Sequence, residues 1–266
     1  MAGSMERRSI TFTTDFGTDS PYVAQMKASV LAIVPAAHLV DITHSIRAQN
    51  VVEGAIVVAD SAFYFPSGTI HVAVVDPGVG TDRGIIAALV AGHWFIAPDN
   101  GLLTGILEKR NATDLRAVAN RALWRDDVST TFHGRDIMAP VAAHLMAGVP
   151  AEEIGPLRED FVNIPWPMPS IKGNALAGEI IYVDSFGNLI TNIHRSDLDA
   201  FAVDQVLVNC GKLSIDGITR TYGDCETGSF VALIGSSGRL EIAATQGNAS
   251  KLTGLGPGES VIVTRP

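Results

Sequence analysis

Asp76, Arg83 and His133 are three polar side chains set among apolar neighbours. Asp76 ends the run His71-Val-Ala-Val-Val and opens Asp76-Pro-Gly-Val-Gly-Thr-Asp-Arg83, while His133 lies in Thr130-Thr-Phe-His133-Gly-Arg-Asp136. An acid at a strand end, a cation a few residues on and a histidine elsewhere are what holding and activating a water molecule requires. If the three converge, the chemistry is that of a hydrolase. If they do not, they are turn and surface residues, and spacing alone favours that plainer reading: Asp76-Pro-Gly suits a β-hairpin-like loop, and a lone histidine before a helix is commonly solvated or satisfied.

Other segments offer binding chemistry. Asp15, in Thr13-Thr-Asp15-Phe-Gly17, falls between a strand and a helix, where α/β sheets bind ligands. A carboxylate there can accept two hydrogen bonds from a vicinal diol, or it can simply cap the helix. Asp184-Ser-Phe186-Gly-Asn188 is a turn whose amide can read a base edge and whose ring can cover a purine, or it is an ordinary β-turn. Gly235-Ser236-Ser-Gly238 and Gly247-Asn-Ala249 expose hydroxyls and backbone N–H groups suited to a carboxylate or a base edge. Gly78 and Gly80 invite a dinucleotide reading, but the residues that follow them read as strand rather than helix. Asp15-Phe-Gly17 lacks the surroundings of a kinase magnesium site. His44 is a further candidate, and no His-x-x-x-His spacing marks a metal site, although scattered Asp and His side chains can still converge.

The elements that must position these residues fall into two groups. From residue 9 to about 150, β-branched runs alternate with helical patterns. Strands are expected over 10–13, 38–42, 69–75, 84–90 and 94–97, and helices over 21–33, 51–63, 102–109 and 136–147, with Ser20 as N-cap and Pro21 at the first helical position of the first. That alternation predicts a layered α/β domain with a largely parallel sheet. Pro156, Pro165, Pro167 and Pro169 then mark a linker. Beyond it, short strands over 179–183, 205–208, 230–234, 239–242 and 260–264, with no convincing helix among them, predict a smaller β-barrel-like domain. The expected domains are 8–165 and 166–266.

Composition narrows the function class. The 266 residues are 47% hydrophobic and 18% charged, enough for a sizeable core. A net charge of -9 with no basic block argues against a nucleic-acid partner. No run of about 18 apolar residues suggests a membrane span, and no signal peptide is read at the N-terminus. Met1-Ala-Gly-Ser reads as an added leader before a native start at Met5. Two cysteines, Cys210 and Cys225, form no disulfide or zinc pattern, so a cytoplasmic location is expected.

Taken in order, Thr14-Asp15-Phe-Gly17, Asp41-Ile-Thr-His44, Val75-Asp76-Pro-Gly-Val-Gly80, Ala97-Pro-Asp-Asn-Gly-Leu-Leu-Thr104, Thr131-Phe-His133-Gly-Arg-Asp136, Asp184-Ser-Phe-Gly-Asn188 and Thr191-Asn192 have a combined meaning that none has singly. From about Ile10 onward the chain closely resembles the S-adenosyl-L-methionine (SAM) hydroxide adenosyltransferases, SAM hydrolases related to fluorinase and chlorinase enzymes. The resemblance implies attack of water or hydroxide on the 5′ carbon of SAM, giving adenosine and L-methionine with no cofactor. It implies a homotrimer in which the ligand lies between the N-terminal domain of one subunit and the C-terminal domain of its neighbour. It assigns Asp76, Arg83 and His133 to the hydrolytic triad and Asp15 to the ribose diol. Asp184 and Ser236 match the methionine amino and carboxylate positions, and Phe186, Asn188 and the backbone at Ala249 match the adenine site. The loop over 237–248 is longer than in the halogenases, and Ala48-Gln-Asn50-Val51 stands where the family usually has Pro-x-Asp-Val. The halogenating relatives carry Tyr where Asp76 sits, and a carboxylate there repels a halide. Two other classes stay in view: a SAM- or adenosine-binding module without turnover, and a metal-dependent phosphoesterase using Asp15, Asp76, Asp99 and His133.

Overall fold

A computed structural model describes residues 8–199, 201 and 205–265, and the leader expected ahead of Met5 lies outside them. The chain divides into two compact units, one running to Trp166 and one from Pro167.

The first unit is built on six strands: β1 (Ser9–Thr14), β2 (His38–Thr43), β3 (Ile70–Val74), β4 (Ile85–Val90), β5 (His93–Pro98) and β6 (Asp114–Ala117). Their order in the sheet is β2-β1-β3-β5-β4-β6. The pairings β1 with β2, β1 with β3 and β3 with β5 are parallel, whereas β4 runs antiparallel to β5 and β6. The expected layered domain is therefore present, with an antiparallel margin. The long helices are α1 (Tyr22–Ile33) and α2 (Val51–Ser61), and the short ones are α3 (Thr104–Leu107) and α4 (Ala139–Met146). Fully buried Ile10, Phe12, Val30 and Met138 lie in one core cluster, and Ala55, Phe95, Leu102 and Ile106 lie in another. Strands with apolar side chains on both faces need both faces covered, which explains their nearly continuous hydrophobic runs.

Three local expectations need correction. Pro21 rather than Ser20 occupies the N-cap of α1; the Ser20 hydroxyl donates instead to Phe16 O at 3.3 Å. The helix expected over 102–109 shrinks to α3, because the segment before it is a turn in which Asn100 Oδ1 accepts from Leu102 N at 3.2 Å. The Asp76–Arg83 loop closes no hairpin: β3 and β4 flank β5 from opposite sides, so the loop passes over the end of β5.

The second unit is an antiparallel sheet of eight strands. These are β7 (Ser170–Lys172), β8 (Ala175–Val183), β9 (Leu189–His194), β10 (Leu207–Cys210), β11 (Leu213–Asp216), β12 (Phe230–Ile234), β13 (Arg239–Ala244) and β14 (Ser260–Thr264). The order is β11-β10-β14-β8-β9-β13-β12, with β7 added beside β8. The two ends of that path, β11 and β12, approach each other, which gives the barrel-like closure expected of an all-β unit. Leu189, Ile193, Val208, Ile242 and Val263 are fully buried inside it. One short helix, α5 (Ala249–Thr253), interrupts the strands; Asn248 caps it by accepting from Lys251 N at 2.7 Å. No helix among the described residues is long and apolar enough to cross a membrane.

Candidate active site

The carboxyl ends of the parallel strands bring acids and histidines together. Asp15 follows β1, His44 follows β2, and Asp76 stands two residues beyond β3. Asn100 Nδ2 donates to Val75 O at 2.9 Å and so fixes the backbone that presents Asp76. His133 comes from a different part of the chain, directly before a π-helical turn, Gly134–Met138, that leads into α4. Such turns are uncommon and recur at functional sites. The fully buried Asp136 holds this segment: its Oδ2 accepts from Ser129 N at 2.9 Å, and its Oδ1 accepts from Arg135 Nε at 2.6 Å.

The loops bearing Asp76 and His133 touch through Gly80. Its φ is +79°, and a Cβ at this position would collide with the carbonyl oxygen of Thr130. Only glycine tolerates both the dihedral and the close approach. Arg83, at the far end of the same loop, then closes the set. Its Nε lies 2.9 Å from both Asp76 oxygens and its Nη2 lies 2.5 Å from Asp76 Oδ2. The same Nη2 lies 2.9 Å from His133 Nδ1. The pair is well shielded, with the Arg83 and Asp76 side chains 10% and 5% exposed. The three residues singled out first therefore converge on one guanidinium. Burial lowers the pKa of His133, the Arg83 cation lowers it further, and Asp76 and Asp136 oppose the shift without reversing it.

Asp76 and His133 line a cavity of about 390 Å³ shared with Asp15, Phe16, Tyr22 and Gln49. Asp15 Oδ2 accepts from Gln49 N at 2.7 Å. Phe16, Tyr22 and Phe132 pack edge to face, with centroids 5.3 to 5.9 Å apart, and give the cavity an aromatic side. Two other candidates are engaged elsewhere. His44 Nδ1 is 2.9 Å from Thr14 Oγ1, and its Nε2 is 3.0 Å from Asp41. Asp99 accepts from Arg158 Nη1 at 2.9 Å and from Val162 N at 2.8 Å. That leaves the four-residue phosphoesterase set unassembled, and among the described residues no three His, Cys, Asp or Glu side chains group as metal ligands.

The second unit holds a cavity of about 860 Å³ lined by Asp184, Phe186, Asn188 and Ser236, together with Tyr222 and Glu241. Asp184 shapes its own turn: Oδ1 accepts from Phe186 N and Asn188 N, each at 2.9 Å, and Oδ2 accepts from Asn188 Nδ2 at 3.0 Å. The tight turn leaves the Phe186 ring 76% exposed. Ser250 N donates to Gly187 O at 3.0 Å, which ties the start of α5 to this turn. Ala249 itself is fully buried; Gln246 and Gly247 form the neighbouring wall.

Tyr222 and Glu241 escape sequence reasoning. The Tyr222 hydroxyl donates to Glu241. Burial raises the Glu241 pKa, and the charge of Asp184 adds to that shift against the Tyr222 hydrogen bond. The available signal was a lone acid inside the apolar run of β13, where an inward charge needs a partner.

Residues 10–155 match the SAM hydroxide adenosyltransferase N-terminal domain, and residues 178–262 match the corresponding C-terminal domain. A protein named (R)-S-adenosyl-L-methionine hydrolase from Thermus thermophilus is 36% identical, over 96% of this chain and 98% of its own. One of the same name from Salinispora tropica is 34% identical, over 96% and 97%. A fluorinase from an Actinoplanes species is 32% identical, over 96% and 97%. Among solved structures, an uncharacterized conserved protein from Thermotoga maritima superposes with a TM-score of 0.91 at 36% identity, covering 96% of this chain and all of the other.

Proposed function

Because this chain belongs to the SAM hydroxide adenosyltransferase family, we propose that it hydrolyses SAM to adenosine and L-methionine. The relatives' names add a point that sequence reading lacked, the R configuration at the sulfonium. We extend that epimer to this chain as the preferred substrate. The observation that carries the reading is Arg83 bridging Asp76 and His133, two residues that line a cavity together with Asp15.

The leaving group is a neutral thioether departing from a sulfonium, so the reaction needs no general acid. What it needs is a nucleophile held in line with the carbon–sulfur bond. Positioning of that kind contributes about 7 kcal/mol or more in favourable cases. In this proposal Asp76 and His133 hold one water, one of the two takes its proton, and Arg83 fixes both. Proton acceptance of this type is worth about 10²–10⁴-fold. Asp15 binds the ribose diol. In the second unit, Asp184 and Ser236 take the methionine amino and carboxylate groups, and Phe186, Asn188 and the backbone at Ala249 take the adenine. SAM serves as substrate, no cofactor is required, and the protein acts in the cytoplasm as a homotrimer, for which light scattering should return three times the chain mass.

Incubation with each sulfonium epimer of SAM, with and without chloride, followed by chromatography, tests the reading. Adenosine and methionine in equal amounts, unaffected by chloride, are expected. A 5′-halo-adenosine would assign the chain to its fluorinase-like relatives, and tight binding with no product would make it a binding module.

A further inference from the structure

We infer that a second cavity in the first unit, walled by Arg83 but not by Asp76, binds an oxyanion of the phosphate class, and that its occupant slows the proposed reaction. Binding at this site needs no turnover; its effect on rate rests on the hydrolysis proposed above.

The cavity encloses about 680 Å³ and is lined by Arg83, Arg121, Trp124, Arg125 and Ser129, with Asp126 as the one acid in its wall. Asp15 and Asp76 take no part in it, and His133 is the residue it shares with the cavity of about 390 Å³. Three guanidinium groups gathered beside one carboxylate contrast with a chain of net charge -9. A cleft lined by one sign of charge concentrates ions of the other sign.

Each cation has donors to spare. Arg83 gives Nε and Nη2 to Asp76 and His133, and its Nη1 has no partner among the described residues. Arg121 forms no ion pair among the described residues and rests over the Trp124 ring, with Cζ 5.6 Å from the centroid. Arg125 Nε meets Asp136 Oδ1 at 3.3 Å, an oxygen that Arg135 already holds at 2.6 Å. The buried indole Nε1–H of Trp124 also lacks an acceptor among the described residues. Indole nitrogen donates only, so whatever satisfies it must accept, and a buried donor without a partner calls for an ion or a water.

These groups select the ligand. Guanidinium is a planar fork that bonds phosphate or carboxylate through two parallel N–H···O contacts. Several forks and an indole N–H offer more donors than one carboxylate can accept, and a halide has no paired oxygens. A phosphate group carries about −1.5 to −2 charges at neutral pH and presents three strong acceptor oxygens. The cavity holds more than the ion, so the group is either free phosphate or the head of a small phosphomonoester. An anion at Arg83 Nη1 competes for the guanidinium charge that holds Asp76 and His133 together. It does so outside the cavity proposed for SAM, and should lower kcat while leaving KM nearly unchanged.

Calorimetric titration with inorganic phosphate at pH 7.5, against sodium chloride of equal ionic strength, reads the site without turnover. Saturable heat from phosphate and none from chloride is expected. Equal responses to the two salts, or no binding of either phosphate or glycerol 3-phosphate, would overturn the site. Tighter binding of glycerol 3-phosphate would identify a phosphomonoester as the occupant, and weaker binding the free ion; both support the site. Arg121 is exposed and lies outside the residues proposed to act on SAM. Arg121→Gln should therefore keep wild-type kcat without phosphate and bind phosphate about tenfold more weakly. Unchanged phosphate affinity in that variant would place the anion elsewhere. Phosphate that raises KM for SAM without lowering kcat would mean competition in the substrate cavity, which also overturns the proposal. Saturable phosphate binding in a wild-type protein that forms no adenosine would support the site while removing the hydrolase reading.

Discussion

A residue in this site acts either on the substrate's position or on its reaction, and the two leave different kinetic traces. Asp15 lines the same cavity as Asp76 and His133 and is proposed to bind rather than react, with Oδ2 already accepting from Gln49 N. Hydrogen bonds to a charged group are worth about 1.5–3 kcal/mol each. Asp15→Ala should therefore raise KM for SAM at least about tenfold while changing kcat much less, which steady-state assays will show. In the proposed reaction His133 is the residue to follow with pH. Its pKa lies below the usual histidine range because burial and Arg83 oppose the charged form. The neutral ring that the proposed reaction calls for thus persists as the pH falls through the ordinary histidine midpoint of about 6.5. A kcat/KM profile should show no acidic limb at that midpoint, only one at lower pH; a limb centred at 6.5 would contradict the arrangement. At this scale the sequence was informative where polar residues interrupt apolar runs near turns, as at Asp15, Asp76 and Asp184. It was silent on Tyr222 and Glu241, whose partnership crosses from a turn to a strand 19 positions away.

Elements decide whether such residues meet. The strand order β3-β5-β4 forces the Asp76–Arg83 loop over the end of β5, and Gly80 lets that loop lie against Thr130. Gly80→Ala places a Cβ against a carbonyl oxygen at a left-handed dihedral. It should cost about 1–3 kcal/mol of stability and lower kcat more than it raises KM, since it separates Arg83 from His133 rather than altering the cavity proposed to bind SAM. Thermal melts and steady-state kinetics measure the two effects. The strands with dense β-branched runs were legible because burial on both faces leaves no other pattern. β9 was not, because Thr191 and Asn192 interrupt Leu189–His194. Both are buried, and Asn192 Oδ1 accepts from Glu179 N at 2.8 Å, a side chain standing in for a ladder bond where the β8 register shifts. β6 and β7 are short, and β7 sits beside the proline-rich stretch that reads as linker. The loop crossing was illegible for another reason: strand order is set by pairing partners distant in sequence, and a turn composition fits a hairpin and a crossover equally well.

Across the whole molecule, the parallel sheet that presents the site is also where acid will weaken it. Thr11 on β1 and His71 on β3 stand opposite each other in register, and Phe95 on β5 stands opposite His71. Thr11 Oγ1 lies 2.7 Å from His71 Nδ1, and His71 Nε2 lies 3.2 Å from His93 Nδ1. His71 is 2% exposed. Burial, reinforced by His93, lowers its pKa from 6.5 to about 3. The folded protein therefore keeps His71 neutral down to about pH 3, while the unfolded chain takes up the proton below about 6.5. Because the unfolded state binds more protons in that window, stability is complete above pH 6.5 and falls as the pH drops toward 3. The loss attributable to His71 is about 2 kcal/mol by pH 5, and the lowered pKa values of His93, His133 and His144 act in the same direction. All three tryptophans, Trp94, Trp124 and Trp166, belong to the first unit, so their fluorescence follows its unfolding in urea. Between pH 7.5 and 5 the wild-type protein should lose stability more steeply than His71→Leu by about that 2 kcal/mol, whatever the substitution costs at neutral pH. Equal slopes would mean that His71 is protonated in the folded sheet, and the acid sensitivity would then have to come from the other histidines.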